Sequence, residues 1–201
     1  MREIDFFDDE SGATVFRDVI LLALAGFVML VLLLLPHLNP RATPQDPTPR
    51  PGNVMVELRW PDELNVDVDL WVQAPGDVPV GYSNQGGAIF NLLRDDLGHI
   101  NDATDLNDEF SYSRGVPAGE YTVNLHLYRN LANVYPVPAV VAVSVKNSPN
   151  LPAQQILLTK LNLSHEDEEL TAFRFKLDEE GRLLSGSVHN LPRPLRAAAR
   201  R

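Results

Sequence analysis

The 201-residue sequence contains no cysteine. This absence excludes a disulfide framework, a zinc–thiolate centre and catalysis by a thiol. It also leaves the redox compartment undetermined, because the sequence carries no disulfide that would require an oxidising environment.

Basic residues are scarce as well, with 17 lysines and arginines against 27 acidic residues and a formal net charge of −10. An acidic protein repels a phosphate backbone, so nucleic acid is not expected as a partner.

Catalytic motifs are missing too. The sequence has no G-x-S-x-G, no H-E-x-x-H, and neither a P-loop nor a Rossmann glycine pattern. The histidines are scattered without metal-ligand spacing, and they are His37, His99, His126, His165 and His189. We therefore expect neither an enzyme nor an organic cofactor.

What the sequence does contain is one long run without charge: residues 19–35 read VILLALAGFVMLVLLLL. At 1.5 Å per residue this run covers about 26 Å, slightly less than a ~30 Å hydrocarbon core. Starting at Phe16 gives the full thickness, so we predict a membrane-spanning helix over residues 16–35. A buried helix of a soluble protein would have a polar face, which this run lacks. A cleavable signal peptide would have a basic leader and a small-x-small cleavage site, whereas this leader is acidic and no such site follows Leu35.

The composition divides the chain into five predicted parts. Six prolines between the apolar run and the next pattern indicate an extended, semi-rigid stalk. Arginines are equally numerous on both sides of the span, so the positive-inside rule does not decide its orientation. The parts are a leader (residues 1–15), the helix (16–35), the proline-rich linker (36–52), a β domain (53–191) and a basic tail (192–201).

Beyond the linker the hydrophobic period changes to two. Apolar and polar residues alternate over residues 54–60, 66–73 and 121–128. This pattern predicts strands with an apolar face inside and a polar face outside. Further strand candidates are residues 137–146, 154–163, 170–177 and 182–189. Many short strands at regular spacing predict a mainly β fold, an antiparallel β-sandwich.

An acidic stretch, residues 94–109, interrupts this rhythm and is long for a hairpin loop. It is either a solvated loop or part of a Ca²⁺ site, because hard cations need several carboxylate and carbonyl oxygens. The spacing does not match an EF-hand. The candidate ligands are Asp67, Asp69, Asp95, Asp96, Asp102 and Asp105, with Asp108 or Glu109 in addition.

Asp18 is the one acidic residue at the membrane boundary. If Ser11 or Thr14 is the helix N-cap, Asp18 lies about one turn into the helix. An aspartate inside a bilayer is costly and is by default a candidate functional residue. The alternative is a flanking charge that interacts favourably with the helix dipole.

Residues 14–24, TVFRDVILLAL, resemble the start of the single transmembrane helix in the ExbD and TolR family, which begins with T-P-F-x-D-V. MotB-type stator subunits similarly place one aspartate low in one helix. Two positions depart from the pattern: Val15 replaces the usual proline, and Arg17 stands where an apolar residue is usual. The residues that match in register are Thr14, Phe16, Asp18 and Val19.

The resemblance implies that Asp18 carries protons and that the other three matching residues mark the helix start, where it meets its partner. It implies a homodimer inside a pentamer of a multi-span protein like ExbB, TolQ or MotA. Proton flow would then drive force or rotation of the domain beyond the membrane. The implied location is the bacterial inner membrane, with the N-terminus in the cytoplasm and the C-terminal domain in the periplasm.

The soluble part has a separate resemblance. ExbD and TolR carry a small α/β domain, whereas this region resembles an uncharacterised bacterial β-sandwich family with a D-V-D-L-W/H-V strand. The alternative function is therefore a membrane-tethered binding module, whose helix is only an anchor and whose acidic loop binds Ca²⁺ or an envelope partner. The matching segments are residues 66–72, 75–76, 82–84, 86–87 and 117–123.

Overall fold

A computed structural model describes residues 8–38, 53–98, 106–148 and 150–199, with helix side chains described for residues 14–34. The chain forms two compact units, Met1–Pro47 and Thr48–Arg201. The described part of the first unit is a single helix, and that of the second is mainly β.

The helix of the first unit, α1, runs from Asp8 to Leu38. Its window Thr14–Leu34 is long and apolar enough to cross a membrane, and none of it is buried. At 1.5 Å per residue these 21 residues cover about 32 Å, the thickness of a hydrocarbon core.

α1 begins earlier than predicted, and this changes the position of Asp18 within it. Three acidic residues open the helix, where negative side chains interact favourably with the helix dipole. Ser11 and Thr14 lie inside the helix, so the prediction that one of them is the N-cap is wrong. Asp18 lies almost three turns after the first helical residue, but near the start of the apolar window.

The second unit contains two antiparallel sheets that form a sandwich-like domain, which confirms the predicted mainly β fold. One sheet has the order β3-β4-β1-β6-β7 and the other β2-β5-β8. The strands are β1 (Asn53–Arg59), β2 (Val66–Gln73), β3 (Phe90–Arg94), β4 (Asp108–Ser113), β5 (Gly119–Asn130), β6 (Val137–Lys146), β7 (Gln154–Leu163) and β8 (Glu169–Leu177).

The core lies between the apolar faces of these two sheets. Alternate residues of β1 are completely buried, as the period of two predicts. In β2 and β5 the residues that alternate toward the core are equally inaccessible. The central members of the core are Val54, Val56, Leu58, Val68, Leu70, Val123, Leu125, Val141 and Val143.

Two features of the β domain differ from the prediction. Residues 182–189 form turns with two isolated bridges instead of a strand, because Gly186 adopts a left-handed φ of 73° that interrupts extended chain. The predicted loop 94–109 is shorter than expected, since Arg94 ends β3 while Asp108 and Glu109 begin β4.

Candidate functional site

The first candidate site is the start of the apolar window in α1. Asp18 is 62% exposed at its side chain, and its Oδ1 lies 4.0 Å from Arg17 Nε. Phe16 and Val19 are also exposed, at 69% and 57%. Phe16, Asp18 and Val19 therefore present open side chains, and among the described residues the charged neighbour of the Asp18 carboxylate is Arg17.

The second candidate site begins with the polar face of β2. This face was predicted to be in water, but Asp67 is only 1% exposed and Asp69 only 3%. The turn after β3 lies over it, where a Cβ on Gly98 would come within 2.9 Å of the Val66 carbonyl oxygen. The prediction of a solvated polar face is therefore wrong for β2, which is buried on both sides.

Each buried aspartate of β2 lies opposite a nitrogen-bearing side chain of β5. Asp69 pairs in register with His126, and their Oδ2 and Nδ1 atoms are 2.6 Å apart. Asp67 pairs with Arg129, whose Nη2 donates to Asp67 Oδ2 at 3.2 Å. Directly opposite side chains in an antiparallel pair are close enough to interact, so the register itself creates both pairs.

Glu109 brings a third carboxylate from the other sheet. It lies opposite Leu58 on the core-facing side of β4 and is fully buried. Its Oε2 accepts a hydrogen bond from the Leu70 backbone N–H at 2.6 Å, and its Oε1 accepts one from the Asp96 N–H at 3.3 Å. Glu109 thus bonds to the backbone of β2, which is an edge strand in the order of its sheet.

Asp95 and Asp96 follow β3 but differ in their bonding. Both carboxylate oxygens of Asp96 are occupied: they accept hydrogen bonds from the Arg94 guanidinium, the Asp108 N–H and the Gly98 N–H. Asp95 is half-buried; among the described residues its Oδ2 accepts one long contact, 3.5 Å, from Gln85, and its side chain lies within hydrogen-bonding reach of Glu109. Asp96 therefore organises the turn, whereas Asp95 keeps an oxygen available.

The carboxylates of Asp69, Asp95 and Glu109 converge. One oxygen from each lies within 4.8 Å of the others, a spacing that would fit a shared metal ion. Beside them is a pocket of about 120 Å³, enough for more than one water-sized group. Its lining residues are Asp67, Asp69, Tyr82, Asp95, Leu97 and Tyr128.

The electrostatics of the pocket reflect carboxylates held close together away from water. Burial, and then the charge of Asp69, raise the pKa of Asp67 to about 7, against the opposing effect of Arg129. Burial also raises the pKa of Asp69, although His126 opposes it. Burial and the charge of Asp69 raise the pKa of Glu109 well above its usual range. The site therefore favours protons or another cation.

An aromatic wall flanks the pocket. The rings of Trp71 and Tyr82 meet edge-on with their centroids 5.5 Å apart, and the ring centroids of Tyr82 and Tyr128 are 5.8 Å apart. Behind it His126 is completely buried, and its Nε2 faces the guanidinium of Arg196. The short helix α2 (Arg196–Ala199) thus closes the inner side of the site.

Of the six predicted ligands, the structure brings Asp69 and Asp95 together with Glu109, which the sequence analysis gives as a further candidate, and it places Asp67 in the lining of the same pocket. Asp96 organises the turn, and the other two, Asp102 and Asp105, lie outside the described residues. His126 is only one of the scattered histidines in the sequence analysis, and Tyr128 only the last residue of the predicted strand 121–128. Their spacing of two, on the strand that pairs with β2, was the signal that could have placed them at the site.

In the described residues, the fold and these two sites define a class of protein: an apolar helix able to cross a membrane, followed by a β-sandwich with an acidic pocket. No more particular assignment follows from similarity, since no family model matches the chain and no curated protein or solved structure is significantly similar to it.

Proposed function

We propose that this protein is the single-helix subunit of a proton-driven membrane motor of the ExbD, TolR and MotB kind. The observation that carries the proposal is the register of Thr14, Phe16, Asp18 and Val19 at the start of the apolar window. A carboxylate at that depth costs free energy, so its presence indicates a functional role. Proton transfer is a role that requires one titratable group and little else from the helix.

In this proposal Asp18 alternates between a charged and a neutral form. Each proton crossing the membrane releases about 2.3 kcal/mol per 100 mV. Neutralising the carboxylate removes the free-energy cost of a charge in hydrocarbon and its attraction to Arg17. The helix can then change its position within a partner protein. Arg17 Nε lies 4.0 Å from the Asp18 carboxylate.

The proposal includes a partner and an orientation. A lone helix with one carboxylate offers no closed path for protons, so a multi-span protein like ExbB, TolQ or MotA must surround it. Two copies of the chain would lie inside a pentamer of that partner, in the bacterial inner membrane. The leader would be cytoplasmic, and the β-sandwich would be the periplasmic output domain rather than an enzyme.

The experiment replaces Asp18 with asparagine, which keeps the size of the side chain and removes its charge. The chain is produced with the multi-span protein that co-purifies with it from its native membrane, and proton uptake is followed in vesicles with a pH-sensitive dye. Asp18→Asn is expected to abolish uptake without preventing co-purification. The matched control is Asp9→Asn, the same change in α1 outside the apolar window.

A result in which Asp18→Asn and Asp9→Asn vesicles take up protons at the wild-type rate contradicts the proposal. The same holds if no multi-span protein co-purifies, because the helix would then lack a channel partner.

A second candidate is a membrane-tethered interaction module without a role in proton transfer. The observation that favours it is the acidic pocket, since a ligand-binding site in the sandwich needs no energy from the helix. The two candidates differ in whether the function of the protein depends on the sequence of the helix or only on its presence as an anchor.

A further inference from the structure

We infer that the acidic pocket of the β-sandwich is a divalent cation site for Ca²⁺, formed by Asp69, Asp95 and Glu109 with Asp67 at its wall. The inference concerns the sandwich alone and holds whether or not Asp18 carries protons.

The first step is the convergence of ligands from three parts of the fold. Asp69 comes from β2, Asp95 from the segment after β3, and Glu109 from β4. Their oxygens lie within 4.8 Å of one another. Ca²⁺ binds oxygens at about 2.3–2.6 Å, so two ligands on opposite sides of the ion are about 4.6–5.2 Å apart. The mutual distances of the three oxygens are therefore compatible with one Ca²⁺ shell.

The second step is independent of the cluster. Asp67 is 99% buried by residue, lines the pocket, and has an Oδ1 atom without a hydrogen-bond partner, although its Oδ2 is held by Arg129. Asp95 Oδ1 is likewise buried without a partner. An unsatisfied buried carboxylate oxygen costs several times a typical net hydrogen bond. Two such atoms beside one pocket indicate that a ligand completes the site.

The third step is charge. Five carboxylates belong to the site, and the guanidinium groups paired with them are Arg94 on Asp96 and Arg129 on Asp67. Within the convergent group of Asp69, Asp95 and Glu109, Asp69 has His126 beside it and a weaker interaction with the charge of Arg196. Buried charges of one sign need a counter-charge, and a divalent ion supplies more than a proton does.

The fourth step is the choice of ion. The donor set consists of oxygens, because both ring nitrogens of His126 already face Asp69 and Arg196 and the sequence has no cysteine. This excludes the nitrogen and sulfur ligands that zinc and copper prefer. Ca²⁺ accepts irregular cages made largely of protein oxygens, whereas Mg²⁺ demands a near-ideal octahedron and keeps several waters.

The test uses the full chain in detergent micelles, treated with a chelator and then titrated with CaCl₂ in a calorimeter. One Ca²⁺ is expected per chain, with a rise in melting temperature of several degrees at saturation. Asp95→Asn is the sharpest variant, because the hydrogen bond that the described residues donate to Asp95 is a long one from the exposed Gln85 side chain. We expect it to weaken Ca²⁺ binding by about tenfold or more, since removing even a group that only supports a ligand has that effect.

Glu109→Gln is the second variant, because its amide oxygen can still accept the Leu70 N–H bond, while only the longer bond from the Asp96 N–H is lost. The matched control is Glu179→Gln, the same change at an exposed position in a turn. The control is expected to bind Ca²⁺ as the wild type does. Far-ultraviolet circular dichroism confirms that each variant is folded.

Two results would overturn the inference. One is a folded wild-type chain that shows neither binding heat nor a shift in melting temperature at about 10 mM Ca²⁺, above the range of even weak extracellular sites. The other is Ca²⁺ binding that Asp95→Asn and Glu109→Gln leave unchanged. If Mg²⁺ binds as tightly as Ca²⁺, the assignment to Ca²⁺ is wrong.

Discussion

Asp67 and Glu109 illustrate, at the scale of single residues, how a site can oppose the stability of the fold that holds it. Both are almost inaccessible to water, and both face other carboxylates. In the absence of a cation, ionising them in the folded state is less favourable than ionising them in the unfolded chain. The pH dependence of stability should therefore report the site directly.

The direction of this pH dependence follows from Asp67, whose pKa is about 7 in the folded protein and 3.8 in an ordinary side chain. A raised folded pKa means that stability is fully present below the unfolded value and is lost as pH rises through the folded value. The charged groups that face Asp67 are Asp69, Asp95, Asp96 and Arg129. Asp69 and Glu109 act in the same direction, while the lowered pKa of Glu120 acts only at more acidic pH.

We therefore predict that, with a chelator present, the β-sandwich becomes less stable between about pH 4 and pH 7, by on the order of a few kcal/mol. The measurement is chemical unfolding of the full chain at several pH values. Asp67→Asn is the comparison variant, because it removes the titrating group with most of its bonding geometry retained. The stability of this variant should fall less over the same pH range. An equal fall would contradict the assignment of the pH dependence to Asp67.

The sequence predicted most of this site's residues but not their environment. Asp67, Asp69 and Asp95 were named as ligands from composition alone. Their burial was not predictable, because it depends on the turn after β3 folding over β2. Glu109 was named only as a further candidate, since nothing local indicates that its side chain enters the space between the sheets.

At the scale of elements, the turn that contains Gly81 fixes the aromatic side of the pocket. Val72 and Val80 exchange two backbone hydrogen bonds, at 2.9 and 2.8 Å, which hold this turn against β2. A Cβ on Gly81 would come closer to the Trp71 indole than non-bonded carbons can approach. Only glycine allows the turn to lie so near the ring.

We predict that Gly81→Ala destabilises the domain by about 1–3 kcal/mol, the usual cost of forcing an extra methyl group into a packed region. The melting temperature measured by circular dichroism should fall by several degrees. Gly86→Ala is the control, because its Cβ would meet only the end of the Asn91 side chain, at 3.2 Å. If both variants melt alike, Gly81 is not a packing constraint.

The period of two predicted β1, β2, β6, β7 and β8 almost to their ends. It missed β3, which has only five residues, and β4, because β4 inverts the usual polarity. Ser111 and Ser113 are buried on its inner face while Phe110 and Tyr112 lie on its outer face. A small polar residue facing the core hydrogen-bonds locally, as Ser113 does to the Gly115 carbonyl at 2.7 Å, and only tertiary contacts reveal this.

At the scale of the whole molecule, the division into two compact units allows helix and domain to be altered separately. We predict that replacing Thr14–Leu34 with an unrelated apolar span of equal length leaves the melting temperature and Ca²⁺ response of the sandwich unchanged. The proton uptake of the reconstituted complex should be lost. Two results would favour the tethered module over the motor subunit. One is proton uptake that is unchanged by the replacement, and the other is cellular function that is retained although proton uptake is lost.

The double burial of β2 has a consequence for how this protein can diverge. In an ordinary sandwich strand, every second position drifts freely because it faces water. From Val66 to Val72 no position has that freedom, since apolar side chains fill the core on one side and acidic or aromatic ones fill the pocket side. Distant homologues whose remaining sequence has changed beyond detection should therefore still be recognisable by this one seven-residue alternation.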